Sequence, residues 1–135
     1  MKFKYIVLID DDDAVNYYHQ YVLENMNCTE NILIGRNIDD AVKILKTVQE
    51  INDVDPSLVI LDVNMPRYNG FEFVTKYYDV FQELKRRNIM IIFLTTSNNP
   101  QDIEKANELE IVSDYKQKPM TEEMIIELQN KVYAE

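Results

Sequence analysis

The chain is short of the residues that build metal cages, disulfides and flexible joints. Its single cysteine, Cys28, excludes an intrachain disulfide and any cysteine-built zinc site. Its single histidine, His19, excludes multi-histidine metal sites and argues against a Ser-His-Asp arrangement. Only two glycines and four prolines occur, and there is no repeat, low-complexity tract or Gly/Ser/Pro-rich linker. No apolar run approaches the roughly 20 residues of a membrane-spanning helix. The start, Met1-Lys2-Phe3-Lys4, runs straight into a short apolar stretch and four aspartates, without the length or cleavage site of a secretory signal. Basic residues are scarce too, 14 against 24 acidic ones, for a formal charge of −10. That balance argues against binding nucleic-acid phosphates or an anionic membrane. A reducing, cytoplasmic compartment is the expectation. The length of 135 residues, with 46% apolar and 28% charged, suits one globular domain over 1–135.

What is present alternates between two kinds of segment. Short apolar runs rich in β-branched and aromatic residues read as buried strands: Tyr5–Ile9, Asn31–Ile34, Leu58–Leu61, Met90–Leu94 and, more weakly, Val112–Gln117. Between them lie stretches with helical spacing. The first places Ala14, Tyr18, Tyr21/Val22 and Asn25/Met26 on one face, leaving His19 on the polar side as an exposed histidine. The second covers about Asp39 to Val48. The third runs unbroken from Phe71 to about Arg87, with Phe71, Val74, Tyr77/Tyr78, Phe81 and Leu84 inward. The fourth, Gln101 to Leu109, turns in Ile103, Ala106 and Leu109. The last, Thr121 to Ala134, turns in Ile125, Leu128 and Val132, and Thr121 followed by two acids reads as its capped start. Tyr18, Tyr21 and one of Tyr77/Tyr78 read as core or boundary residues, Tyr17 as exposed, Cys28 as an inert thiol. Five strands alternating with five helices predict an α/β fold, a doubly wound parallel sheet covered on both faces. Working residues then gather at the carboxyl ends of the strands.

Those ends carry chemistry. The first strand closes in Asp10-Asp11-Asp12-Asp13, the third in Asp62, the fourth in Thr95-Thr96, the fifth in Lys118-Pro119. Two carboxylates about 4 Å apart repel by roughly 4 kcal/mol at an effective dielectric of about 20. A proton or a hard divalent ion with oxygen ligands must offset that. Lys118 adds a positive charge and Thr95 a hydrogen-bond donor. The set suits phosphoryl transfer, with one carboxylate attacking phosphorus. Asp12 and Asp13 read instead as the start of the first helix.

Four stretches in order carry a family resemblance: Ile6-Val7-Leu8-Ile9-Asp10-Asp11-Asp12; Leu58-Val59-Ile60-Leu61-Asp62-Val63-Asn64-Met65-Pro66 with Asn69-Gly70; Ile92-Phe93-Leu94-Thr95-Thr96; and Asp114-Tyr115-Lys116-Gln117-Lys118-Pro119. Together they resemble the receiver domain of two-component response regulators over about residues 3 to 133, and stand-alone receivers in particular, with no residues left for an effector domain. The resemblance implies a flavodoxin-like (βα)5 fold with strand order 2-1-3-4-5. It implies Asp62 as phosphoacceptor, and Mg²⁺ held by Asp11 directly, Asp10 through water, Asp62, and the backbone carbonyl of Asn64. It implies Thr95 as the switch hydroxyl, Lys118 as the partner of Asp62 and then of phosphate, Tyr115 as the aromatic whose rotamer follows the threonine, and a cis Lys118–Pro119 bond. Gly70 would close the turn after the phosphorylation loop.

Some positions depart from the family pattern. Thr96 stands where a smaller residue is usual, and should narrow access to the phosphoryl group. Asn64 and Ser97 occupy variable positions that tune hydrolysis. Glu110 replaces a common glycine, so that helix end must be capped differently or tolerate an unfavourable backbone. Thr47–Pro56 is longer than typical and should extend the second helix or its loop.

The leading expectation is a phosphorylation-controlled signalling module rather than an enzyme. A histidine kinase or histidine phosphotransfer protein donates to Asp62, the receiver catalyses its own transfer, and the face of the fourth helix, fifth strand and fifth helix shifts. Output runs through an unknown target protein or an onward relay, from a monomer or weak dimer. The alternatives are a metal-dependent phosphohydrolase with an aspartyl nucleophile, against which stands the lack of a cap domain, and a scaffold that is never phosphorylated.

Overall fold

Alternation along the strands sorts the apolar side chains into two cores. In the computed structural model, which describes residues 2–51, 55–65, 69–96 and 99–133, strand β1 (Phe3–Ile9) sends Ile6 and Leu8 into one core and Val7 and Ile9 into the other. The chain continues through α1 (Asp13–Met26), β2 (Thr29–Gly35), α2 (Ile38–Ile51) and β3 (Ser57–Asp62). After α3 (Gly70–Lys76) and α4 (Tyr78–Arg86) come β4 (Ile89–Thr95), α5 (Pro100–Glu108), β5 (Asp114–Gln117) and α6 (Glu122–Tyr133). All strands pair in parallel, in the order β2-β1-β3-β4-β5. That is the expected doubly wound α/β arrangement.

One face of the sheet is covered by α1 and α6, whose Leu23, Ile125 and Leu128 meet Ile6, Leu8, Leu58, Ile60, Ile92 and Leu94. The other face receives Ala41, Leu45 and Val48 of α2, Phe73 and Val74 of α3, Phe81 and Leu84 of α4, and Ala106 of α5. Every residue of β3 is buried, as a central parallel strand requires. β5 is short, and its polarity is matched from α6: Lys116 pairs with Glu127 at 2.7 Å and Lys131 approaches Asp114 at 3.7 Å.

Three expectations about helices fail. The third helix is not one piece. It breaks at Tyr77 (φ −107°, ψ 35°) into α3 and α4. The Thr75 hydroxyl donates to the Phe71 carbonyl at 2.8 Å, two residues before the break. Edge-on contacts of the Phe73 ring with Tyr77 and Phe81 pack the bend. Second, α1 is rotated from the expected face. Its buried residues are Asn16, His19, Val22 and Leu23, while Tyr18 and Tyr21 are 48% and 59% exposed. Large amphipathic rings at helical spacing mimicked a core stripe, but buried polar groups with partners took the inner positions. His19, expected at the surface, is 2% exposed. Third, Ile103 of α5 lies exposed, leaving Ala106 as that helix's buried residue.

Other local expectations hold. The Asp12 carboxylate caps α1 by accepting from the Ala14 and Val15 amides. The Thr121 hydroxyl accepts from the Met124 amide at 3.2 Å. α2 reaches Ile51, so the long segment does extend that helix; residues 52–54 lie outside the described residues, as do Pro66, Ser97 and Ala134. Glu110 needs no glycine substitute: the positive-φ residues among those described are Asn27 and Asn88. α5 instead ends with Leu109 extended, and Lys85 Nζ donates to the Glu110 carbonyl at 2.6 Å.

Gly70 is required by close approach rather than by its backbone angles, since the described glycines have no positive φ. Its N–H donates to the Val63 carbonyl at 2.6 Å. A Cβ there would sit 3.1 Å from Val63 Cα and 3.3 Å from the Asp62 carbonyl oxygen. Gly70→Ala should therefore push on the backbone that follows Asp62 and cost about 1–2 kcal/mol, as overpacking does. Urea unfolding would measure this, and an unshifted midpoint would show that the segment gives way freely.

Candidate functional site

Register brings the strand ends together. Ile9 of β1 is level with Leu61 of β3, so Asp10 and Asp62 follow side by side. Asp62 is level with Leu94 of β4, and Thr95 with Gln117 of β5, so Thr95 and Lys118 close the row. The Lys118 amide donates to the Thr95 carbonyl at 2.7 Å, extending the β4–β5 ladder by one step. The Lys118–Pro119 bond is cis, as expected.

The lysine reaches across the sheet edge. Its Nζ lies 2.6 Å from Asp10 Oδ2 and 3.2 Å from Asp62 Oδ1. Asp10 and Asp62 are 4% and 5% exposed, whereas Asp11 is exposed. Asp10 Oδ1 also accepts from the Asp12 amide, and Asp62 Oδ1 from the Asn64 amide at 3.2 Å. Two buried carboxylates thus share one ammonium. Burial first, then the neighbouring Asp10 charge, push the Asp62 carboxyl up to about 6, against the opposing pull of Lys118 and the Asn64 amide. Burial works against the charge on Lys118, but the hydrogen bond to Asp10 and the two carboxylate charges outweigh it and raise its pKa.

The donors fit a hard divalent cation. Asp10, Asp11 and Asp62 can each offer a carboxylate oxygen, all within 4.8 Å of one another. An all-oxygen, multiply anionic set is what Mg²⁺ takes.

Thr95 is fully buried, and its hydroxyl accepts from Asn64 Nδ2 at 3.4 Å. The Asn64 side chain therefore already touches the hydroxyl assigned to the switch. Tyr115 lies level with Phe93 on β5, half-buried against the larger core. Thr96 is exposed and borders a cleft of about 370 Å³ with Ala14, Val15, Tyr18, His19, Lys118 and Pro119, so it does stand beside the approach to Lys118. Asn16 and His19 lie under the site and were not anticipated there. The available signal was their i, i+3 spacing in line with Val22 and Leu23.

A sequence model of the response regulator receiver domain matches residues 6–130. Response regulator protein GraR of Staphylococcus aureus is 31% identical over 128 residues, covering 95% of this chain and 50% of that protein. The chain thus spans about half the length of that curated relative. A two-component response regulator from Cytophaga hutchinsonii superposes with a TM-score of 0.88 at 29% identity, covering 100% of both chains. A response regulator receiver protein from Dyadobacter fermentans has the same fold, with a TM-score of 0.84 at 20% identity over 98% of this chain and 99% of that one.

Proposed function

The chain belongs to the response regulator receiver domain family, and from that premise we propose that Asp62 is the residue phosphorylated in its signalling. Receivers of two-component systems signal through phosphorylation, and this one is a signalling module rather than an enzyme for outside substrates. The donor is a histidine kinase or a histidine phosphotransfer protein. An Asp62 carboxylate oxygen attacks the phosphorus of phosphohistidine. The P–O bond forms as the P–N bond breaks, and the electron pair leaves with the imidazole, which takes up a proton. Asp62 then carries an acyl phosphate. The observation that carries this reading is one ammonium held between the buried carboxylates of Asp10 and Asp62 at the common edge of the sheet.

Asp10, Asp11 and Asp62 would hold Mg²⁺, with the Asn64 carbonyl completing the set, and the ion would neutralise oxygens that otherwise repel one another and the incoming phosphoryl group. Lys118 keeps the Asp62 oxygen oriented and then follows the charge to the phosphoryl oxygens. Thr95 leaves Asn64 to bond one of them, and Tyr115 repacks into the space this opens. The α5–β5–α6 face thereby shifts between two populations and selects a target protein, or the phosphoryl group passes onward. Among the described residues no helix is long and apolar enough to cross a membrane. A phosphohistidine donor of the two-component kind works in the cytoplasm, and we place the protein there with it.

Intact-mass measurement after treatment with a small phosphodonor and Mg²⁺ tests the reading. One phosphoryl group that hydroxylamine releases is expected, as for an acyl phosphate. A hydroxylamine-stable label, or repeated turnover of the donor without a labelled protein, would count against it. Asp11→Asn should weaken Mg²⁺ binding by about tenfold, because one anionic oxygen is lost from the set. Calorimetric titration checks this, and unchanged affinity would remove Asp11 from the site.

A further inference from the structure

Two polar side chains on the inner face of α1 have no part in the chemistry above. Asn16 and His19 are 1% and 2% exposed. An amide and an imidazole at such depth are costly unless each finds a partner. Asn16 Nδ2 and His19 Nε2 do, while Asn16 Oδ1 is left without one, and both partners are backbone groups of the segments that carry the charged residues. Asn16 Nδ2 donates to the Asp10 carbonyl at 2.8 Å. His19 Nε2 accepts from the Met120 amide at 3.2 Å, across 101 positions of sequence. Met120 is fully buried and follows Pro119 directly. The Lys118 amide, at the other end of this short segment, is bonded to Thr95. Lys118 therefore sits on a backbone pinned on both sides, and its ammonium bonds back to Asp10. The circuit α1–Asp10–Lys118–Met120–α1 is closed.

We propose that His19 is a positioning residue for Lys118: its ring anchors the Lys118–Met120 segment to α1, and so fixes where the ammonium stands between Asp10 and Asp62. Asn16 anchors the Asp10 end of the same circuit. A lysine stem has four rotatable carbons, so the backbone beneath it must be fixed for the head group to be placed. The acceptor atom is Nε2, so the ring works neutral with its proton on Nδ1. Burial, and then the nearby Lys118 charge, favour that form over the opposing charge of Asp10. The inference rests on the reading of Lys118 as a group that acts in phosphoryl transfer.

The test is the rate of labelling by a small phosphodonor with Mg²⁺ in wild type, His19→Leu, His19→Gln, Lys118→Ala and the His19→Leu/Lys118→Ala pair. Leucine fills the space but offers the Met120 amide no acceptor; glutamine offers an oxygen at similar reach. His19→Leu should slow labelling by about tenfold, and His19→Gln by no more than about twofold. In the Lys118→Ala background His19→Leu should add nothing, because the group it positions is gone. A packing role alone would slow that background by the same factor, or would leave glutamine as slow as leucine; either result overturns the proposal. If Lys118→Ala labels at the wild-type rate, the reading of Lys118 fails and the inference with it. If Lys118→Ala is slow while His19→Leu keeps the wild-type rate, the inference fails alone. Should His19→Leu not fold, a nitrogen–nitrogen scalar coupling between the Met120 amide and His19 Nε2 in uniformly ¹⁵N-labelled wild type is expected, and its absence overturns the proposal.

Discussion

Replacing Asp62 by asparagine is expected to abolish labelling by a phosphodonor and, at the same time, to stabilise the protein in metal-free buffer. The first effect follows from removing the nucleophile. The second follows from what holding that carboxylate costs. Its ordinary value is 3.8, and in the fold it is pushed up to about 6 by burial and by Asp10. Between those values the folded state binds a proton that the unfolded chain does not. Below about pH 4 the group is neutral in both states and costs nothing. Stability is then lost as pH rises through the window from 3.8 to about 6. Above that window the full loss, about 3 kcal/mol, persists to neutral pH. Asparagine removes the charge but also removes one partner of Lys118, so a net gain of about 2 kcal/mol is expected, or roughly 7 °C in Tm. Calorimetry from pH 4 to 7 reads both parts: the variant should be more stable at pH 7 and lack this component of the decline. A variant that still labels would disprove the assignment of Asp62. One that labels poorly but melts below wild type at pH 7 would refute the electrostatic account.

Lys118→Ala should do the reverse. Asp10 and Asp62 are then left facing one another at 4% and 5% exposure with their shared counter-ion removed. Breaking a buried pair from one side costs about 3 kcal/mol, most of it the penalty of the charge left behind. The fold should survive, since the loss falls short of a typical domain's stability. Two readouts distinguish this from a packing defect. Mg²⁺ should recover far more stability in Lys118→Ala than in wild type, because the ion replaces the missing positive charge. Phosphorylation should become slow, and what is formed should no longer alter binding to a target. Equal stabilisation of both proteins by Mg²⁺ would mean that the lysine and the metal act on different carboxylates.

The positions of Asp10, Asp62, Thr95 and Lys118 were legible because they depend on one rule. Each stands at the carboxyl end of a strand of a parallel sheet, and parallel strands end at a common edge. The same logic made the strand pattern readable, since runs such as Leu58–Leu61 are buried on both faces. α1 was not legible in the same way. Its inner face carries two hydrogen bonds with backbone groups outside the helix, from Asn16 to Asp10 six residues before it and from Met120 to His19 across 101 positions, and no local spacing announces them. Hydropathy placed the tyrosines inward and the histidine outward, and tertiary pairing reversed both. The bend at Tyr77 escaped for a related reason. It lies in a stretch whose apolar spacing runs on unbroken, so nothing in the pattern marks it.

Cys28 gives the molecule a built-in chemical stopwatch. The thiol is 2% exposed, its Sγ lies 3.7 Å from the Leu23 carbonyl oxygen, and burial raises its pKa. Thiolate reagents therefore meet it only when the core opens. With no tryptophan in the chain to report by fluorescence, the rate of alkylation at this one thiol can follow how phosphorylation, magnesium or a changed side chain at the sheet edge alters the frequency of opening, without an engineered label.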